Sequence, residues 1–328
     1  MTLIPEHVES YFATARARHQ IYLNRRAGRL RPWTEDPILA DWRFCNVFRE
    51  LDRTTAWFHD NVRERLRSRP EVLLATVVFR LFNRISTGEA IFCQRALGLD
   101  DELPGETAWE AFLRTGDVGY LRASIYHYIG DRGPYVTGSY IIKTPEGHSK
   151  LEGVLQIIEW FYQRPADLDD VRTMEWWLQA SSMSKWTLEK AAVWLESTFR
   201  LIGHFTAYEI VSDLRHTDLL CHAEDVMTWA NPGPGATRGL NYLHGREWGK
   251  APPKTQLVYE MGELLALSQD CLNWPTEMKI FAKKDGTVTT EHTWPSWEMR
   301  EVEHWLCEAY KYWRMRDGGT TPRQRFRG

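Results

Sequence analysis

Apolar residues recur at helical spacing along most of this 328-residue chain, and that period most constrains its fold. Residues 5–27 read as an amphipathic helix that ends near Gly28. Asp36-Pro37 has the form of an N-cap followed by proline at the first helical position, and it predicts a long helix to about Arg69. Pro70 opens another, interrupted near Ser86-Thr87-Gly88, and Thr107 to Arg114 predicts a short one. Further helices are expected over 148–163, 167–180, 184–200, 204–215, Gln256–Cys271 and Trp297–Met315. YVTGSYIIK, Tyr135 to Lys143, is β-branched and aromatic and is the candidate strand or extended loop. Residues 221–250 are rich in Gly, Pro and Asn and read as an ordered, functional loop region. The expected fold class is all-α with at most a small β element. One helical domain is expected over 1–328, with room for two lobes and a flexible basic tail over 317–328.

A chain of this length buries a core large enough to need no disulfide or metal staple. The formal net charge is -3, so no global field draws it to nucleic acid. Residues 1–85 nevertheless carry 15 Lys+Arg against 10 Asp+Glu, while the remainder carries 26 against 34. A basic N-terminal part suits a local anion-binding face, or simply a solvated surface. The five cysteines are scattered and form no CxxC, which reads as a reduced cytosolic protein with buried thiols. The first residues have no signal-peptide pattern, and the longest apolar run, Val72 to Phe79, is too short to span a bilayer, so no membrane partner is expected. Sixteen tryptophans suit a packed core or a protein that stacks bases.

Several stretches carry candidate chemistry. In WRFCNVFRELDR, Trp42 to Arg53, a helix would gather Arg43, Asn46, Arg49, Glu50 and Arg53 in an arc of roughly 120°. Arginine forks suit phosphate or carboxylate oxygens; the alternative is a solvated face with internal salt bridges. In VVFRLFNRI, Arg80 and Asn83 lie on an otherwise apolar helix, so they either knit the core or line a polar cavity. LIGHFTAYEIVSDL, Leu201 to Leu214, turns at Ile202-Gly203, and there Gly203, His204 and Thr206 could meet a DNA phosphate as a helix-hairpin-helix does. It has one glycine where that hairpin has two, so a plain helical corner fits equally. Asp225 follows about twenty residues later and is either a reactive carboxylate or a helix cap. NPGPGATRG, Asn231 to Gly239, lacks the GK[ST] of a P-loop, and no such motif occurs in the chain. It remains a candidate turn whose Gly233 and Gly235 N–H groups and Arg238 face an anion. In REVEHWLCEAYKYWR, Arg300, His304, Cys307, Glu308, Lys311 and Arg314 share one arc, while Val302, Trp305, Ala309 and Tyr312 face away. His304-x-x-Cys307 lacks a second ligand pair, so no metal site is expected.

WRFCNVFRELDRTT, VVFRLFNRIST, LIGHFTAYEIVSDL, EDVMTWANPGPGATRGL and VEHWLCEAYKYWR occur in that order. In this the chain resembles the phage DNA-hypermodification family variously called α-glutamyl/putrescinyl thymine pyrophosphorylases, amino acid:DNA transferases, or the 5-hydroxymethyl-dU kinase helical domain, over roughly residues 40–315. The resemblance implies a fold related to helix-hairpin-helix DNA glycosylases. It implies double-stranded DNA whose 5-hydroxymethyluracil is already pyrophosphorylated, a flipped base, a free amino acid as second partner, and a phage protein working in the bacterial host cytoplasm. With no Walker A and no room for a kinase domain, the chain reads as the stand-alone transferase. Displacing pyrophosphate needs cationic donors, for which Arg43, Arg49, Arg53 and Arg80 are candidates, beside Asn46, Asn83 and His304. The amine must lose a proton to a carboxylate, with Asp225 first and Asp52 and Glu308 behind it. Lys311 or Arg238 would meet the amino-acid carboxylate. No resident cofactor is expected; Mg²⁺ is the ion that pyrophosphate would bring. Glycine is the expected amine, because no acidic pocket for a diamine is evident. A DNA glycosylase on the same fold, or a non-catalytic DNA-binding partner of the kinase, are the rival readings.

Overall fold

The computed structural model describes residues 2–96, 105–138, 142–163, 180–272, 278–281, 288–292, 296–319 and 325–326. In chain order the helices are α1 (Pro5–Arg26), α2 (Pro37–Asp41), α3 (Arg53–Phe58), α4 (Glu64–Leu66), α5 (Val72–Phe82), α6 (Ile85–Phe92), α7 (Ala108–Thr115), α8 (Gly119–Ile129), α9 (Lys150–Gln163), α10 (Leu188–Thr198), α11 (His204–Leu214), α12 (Pro234–Leu243), α13 (Lys254–Cys271) and α14 (Met299–Arg316). The only sheet among the described residues is an antiparallel ribbon of β1 (Met278–Phe281) and β2 (Val288–His292), pairing Met278 with His292 and Phe281 with Val288. The fold is thus all-α with one small β element. The chain divides into two compact units, Met1–Leu51 with Val226–Gly328, and Asp52–Asp225.

In the first unit, α14 is the central element. Val302, Trp305, Leu306, Ala309 and Trp313 are buried along it at helical spacing. Helix α1 is pinned to it by polar groups: Trp305 Nε1 donates to the Tyr11 carbonyl and Tyr11 Oη to the Val302 carbonyl, both at 3.1 Å. Helix α12 packs on another side. It begins with Gly233 as an extended N-cap and Pro234 in the first turn. So within the region 221–250 expected to be a loop, Pro234–Leu243 is a helix, while the residues on either side are turns and coil. Its glycines have a packing reason. A Cβ on Gly235 would sit 2.8 Å from Cys307 Sγ, and one on Gly239 would sit 2.7 Å from the Leu306 carbonyl oxygen. Four residues apart, these two glycines lie on one face and let the α12 backbone approach α14.

The expected single helix from Asp36 to Arg69 is not formed. Asp36 does cap α2, accepting from the N–H groups of Ile38 and Leu39 at 2.8 and 2.9 Å. The helix then stops at Asp41, because Trp42 is extended and bridges Arg325. Residues 43–48 run without helix, followed by a 3-10 turn at Arg49–Leu51. Helical structure resumes at Arg53 and passes through a π-turn at His59–Arg63. Side chains replace the missing ladder: Asn46 Nδ2 donates to the Leu51 carbonyl at 2.5 Å, and the Cys45 N–H reaches Glu308 Oε2 at 2.9 Å.

In the second unit, α5 is buried along its whole length, Arg80 included. Phe79 stacks on Phe58 at 4.4 Å between ring centroids. The candidate strand over 135–143 is not a strand where it is described. Its backbone instead serves the helices: the Tyr135 carbonyl accepts from Thr87 Oγ1 at 2.7 Å, and the Thr137 N–H donates to the Phe82 carbonyl at 2.9 Å. Residues 139–141, the expected helix over 167–180 apart from its last residue, and most of the tail beyond Gly319 lie outside the described residues.

The two glycine contacts give a direct stability test. Gly239→Ala forces a methyl onto a backbone carbonyl, an overpacking that costs about 1–3 kcal/mol. Gly262 lies in α13 with nothing within 4 Å of an added Cβ. Gly262→Ala is therefore expected to be neutral or to gain about 0.5–1 kcal/mol. Denaturant unfolding of the two variants should move in opposite directions or separate clearly.

Candidate active site

The polar arc on α14 meets the segment 43–51 within the first unit. His304 Nε2 donates to the Asn46 carbonyl at 3.1 Å. Lys311 Nζ donates to the Arg43 carbonyl, and to Glu308 Oε2 at 3.3 Å. Arg18 of α1, which sequence reasoning passed over, donates to Asn46 Oδ1 at 2.7 Å and to the Phe44 carbonyl at 3.2 Å. Four candidates, Asn46, His304, Glu308 and Lys311, therefore come together. The helical arc expected for Arg43, Asn46, Arg49, Glu50 and Arg53 does not exist, because their segment is not a helix. Arg43 is exposed, whereas Arg49 is buried close enough to Arg300 to act on it electrostatically.

The charges here are set by their neighbours. Burial opposes ionisation of Glu308, but Lys311, His304 and the Cys45 N–H outweigh it and hold the carboxyl below its ordinary value. Glu308 is a carboxylate at neutral pH, able to accept a proton. Burial likewise opposes the charge of Arg300. Glu301 at 2.7 Å and Glu50 at 3.2 Å reverse that, and the guanidinium is held above its ordinary value. Cys307 goes the other way: burial, then Glu303 and Glu308, push its thiol well up, so it stays protonated and is no nucleophile. The N–H of Gly233, at the start of α12, already faces Glu303 Oε1 at 3.4 Å, and Gly235 is closed off by Cys307. The turn expected to cradle an anion thus meets an internal carboxylate. Arg238 is exposed on α12 and lies over the Tyr310 ring at 5.6 Å.

The second unit holds a buried charge cluster. Asp213 of α11 accepts from Arg80 Nη2 at 2.7 Å and from Arg63 Nη1 at 3.1 Å. Arg80 also donates to Thr55 Oγ1 at 3.2 Å and to Asn83 Oδ1 at 3.0 Å. Arg80 and Asn83 are thus joined, and they knit the core. Asp213 and Arg63 were missed, although a buried arginine at position 80 demands an anion and α11 offers two acids, Glu209 and Asp213. Asp225 binds the N-terminus of α10, its two oxygens accepting from the N–H groups of Leu188 and Glu189 at 2.7 and 3.0 Å. Asp52 stands at the N-cap of α3 without a capping bond from its side chain, and Arg53 beside it is exposed. Gly203 is the extended N-cap of α11, whose first residue His204 pairs with Glu196 of α10 and whose third, Thr206, is buried. At this corner the left-handed residue is Leu201, at φ 66°.

Among the described residues no helix is long and apolar enough to cross a membrane. The chain belongs to the family described as 5-hmdU DNA kinase, helical domain, whose model matches residues 5–320. It is similar to a 5-hmdU DNA kinase of Bacillus phage SP10, with 25% identity over 246 residues. Those residues are 72% of this chain and 36% of that protein, so the chain spans little more than a third of its relative. No solved structure matches the chain.

His19 adjoins Arg18 and is 1% exposed. Burial, then the Arg18 charge, lower its imidazole to about 4. The unfolded chain takes up this proton near pH ~6.5, while the folded protein refuses it until near 4. Stability is therefore lost as pH falls between those values. For wild type the loss from pH ~7 to ~4.5 is about 2 kcal/mol, and His19→Gln should abolish that part of the slope. Urea unfolding at both pH values measures it.

Proposed function

We propose that this chain carries out a thymine hypermodification step. Its substrate is DNA bearing 5-hydroxymethyluracil pyrophosphorylated on the hydroxymethyl oxygen. The amine of a free amino acid, glycine in our reading, attacks the exocyclic methylene. The C–N bond forms, the C–O bond breaks, and pyrophosphate leaves with the bonding pair. The proton shed by the amine passes to a carboxylate.

Membership in a family named for 5-hmdU DNA kinases supports the DNA and base chemistry. The absence of a Walker A sequence from these residues turns the reading from phosphoryl transfer to a later step. The observation that carries it is Glu308, a half-buried carboxylate whose Oε2 meets Lys311 Nζ at 3.3 Å and the Cys45 N–H at 2.9 Å, and whose neighbours hold it below its ordinary value. It suits a proton acceptor better than Asp225, because both Asp225 oxygens accept backbone N–H groups whereas the Cys45 and Lys311 bonds fall on the one Glu308 oxygen Oε2. The exposed Arg43 is assigned to the leaving pyrophosphate. The α10–α11 corner, with His204, is assigned to the DNA backbone.

The test is mass spectrometry of nucleosides. Kinase-treated 5-hydroxymethyl-dU DNA is incubated with the protein and mixed amino acids, then digested. A nucleoside heavier by a glycine residue is expected. Abasic sites would make the protein a glycosylase, and unchanged nucleosides with salt-dependent DNA binding would make it a binding partner. Glu308→Gln is expected to lower turnover by about 10²–10⁴-fold. Full activity in that variant would remove Glu308 from the role.

A further inference from the structure

Among the described residues Leu30 is the most exposed large apolar side chain, at 90%. It stands between Arg29 and Arg31, both exposed, on the turn that follows α1 in the first unit. That turn is tied at both ends. Gly28 takes a left-handed φ of 68° and ends the helix. The Arg29 N–H donates to the Asn24 carbonyl at 3.0 Å, and Asn24 Nδ2 donates to the Trp33 carbonyl at 2.9 Å. Trp33 Nε1 donates to the Arg29 carbonyl at 2.7 Å. Leu30 and Arg31 lie between these ties, so the fold holds a leucine in water on an anchored loop. A single exposed apolar residue is ordinary. The charge around this one is not. Residues 10–34 contain six arginines and no Asp or Glu. The fold adds another arginine from the far end of the chain: Arg325 bridges Trp42 and lies over its ring at 5.1 Å. Its neighbour Phe326 meets Trp33 edge-on at 5.8 Å between ring centroids. Arg25 and Arg31 lie over the Trp33 ring at 5.1 and 4.6 Å, and over the Phe326 ring at 5.3 and 5.5 Å. Arg25, Arg26, Arg29, Arg31 and Arg325 are all exposed, and none pairs with a carboxylate among the described residues. Of the acids at the border, Asp36 is taken up by the α2 cap and by Tyr312 Oη at 2.6 Å, and Glu35 and Asp41 are exposed.

Sharing one ring puts the Arg25 and Arg31 charges within a Debye length of about 10 Å of each other. The aromatic seats fix these guanidiniums in place but do nothing to relieve their repulsion, which a polyanion would relieve. An acidic peptide or a free phosphate would answer the arginines and leave Leu30 in water. An anionic bilayer would answer both, yet one leucine offers too little apolar area to hold a protein there. The minor groove of duplex DNA asks for this combination: arginines drawn to its negative potential, and an apolar side chain set against a base step. We propose that the turn 28–33 enters the minor groove of duplex DNA. Arg29 and Arg31 lie in the groove, Leu30 wedges against a base step, and Arg25, Arg26 and Arg325 meet the flanking phosphates. The contact reads the groove and not the base modification, so the protein holds duplex DNA here whatever its thymines carry. It does not rest on the amine-transfer reading, and it is additional to the contact assigned above to the α10–α11 corner.

Fluorescence anisotropy of the whole chain with short unmodified duplexes, one A·T-rich and one G·C-rich, tests the proposal. The A·T-rich duplex should bind more tightly, because A·T tracts have the narrower minor groove. Netropsin, which fills that groove, should compete, and methyl green, which occupies the major groove, should not. Arg29→Ala and Arg31→Ala should each weaken the duplex by about tenfold and flatten the dependence of log affinity on log salt. Leu30→Ser should weaken it by about threefold or more with the salt slope unchanged. All three side chains are exposed, so the variants are expected to fold. Equal affinity for single strands of the same sequence, no competition by netropsin, or unchanged affinity in Leu30→Ser would each overturn the proposal. So would binding to vesicles of anionic lipid, lost in Leu30→Ser, by a protein that does not bind the duplex; the turn would then belong to a membrane. The nucleoside assay keeps this contact apart from the reaction. Amino-acid transfer by variants with unchanged duplex affinity keeps the reaction and rejects the groove contact. Duplex affinity lost in Leu30→Ser, with no amino acid placed on DNA by the wild type, keeps the groove contact and rejects the reaction.

Discussion

The close approach of α12 to α14, through Gly235 and Gly239, is the contact on which the first unit's chemistry depends. With α12 on one side and the tryptophan face turned to α1, the polar arc of α14 is left to meet residues 43–51. That segment has no helical ladder, so its backbone groups need partners from elsewhere. Arg18, His304, Glu308 and Lys311 supply them. The same side chains therefore hold a non-helical strip of chain and gather the titratable groups of the candidate site. A larger residue at Gly239 would disturb both through one helix shift.

Burial sorts the arginines by what they are free to do. Arg80 and Arg63 converge on Asp213, and Arg300 is held by Glu50 and Glu301. Removing a guanidinium from water is worthwhile only when carboxylates and hydroxyls meet it, and such a pair has little freedom left to follow a substrate. These residues fix the fold and its internal potential. In the function proposed above, contact with an incoming pyrophosphate would fall to a side chain that reaches solvent, such as Arg43. Glu308 lies between the two conditions, half-buried and held ionised with Lys311 at 3.3 Å.

Much of this was legible from residue spacing. The arc of α14, the extent of α1, and the need of Arg80 and Asn83 for partners in an apolar helix all follow from a 3.6-residue period and the cost of burying polar groups. The segment 42–53 was not legible, because its apolar residues also fit a helix. What breaks the helix is long-range: Arg325 bridging Trp42, and Glu308 taking the Cys45 N–H. NPGPGATRG misled for a related reason. Glycine is rare within helices unless another backbone must come close, and that neighbour lies some seventy residues on. The cap that Asp225 gives α10, and the part played by Asp213, depend on which helices pack together, which local pattern does not specify.

An enzyme that displaces pyrophosphate from an activated methylene has a competitor in water, which would return the hydroxymethyl base. The leaving group already carries much of the activation, so the larger task of such an enzyme is to choose the nucleophile. A neutral amine must be held near the carbon at a high effective concentration, with its proton given somewhere to go and bulk water kept away. The amine-transfer reading proposed above therefore asks of these helices a held nucleophile and a proton acceptor, and Glu308, ionised beside Lys311, is the group that answers the second demand.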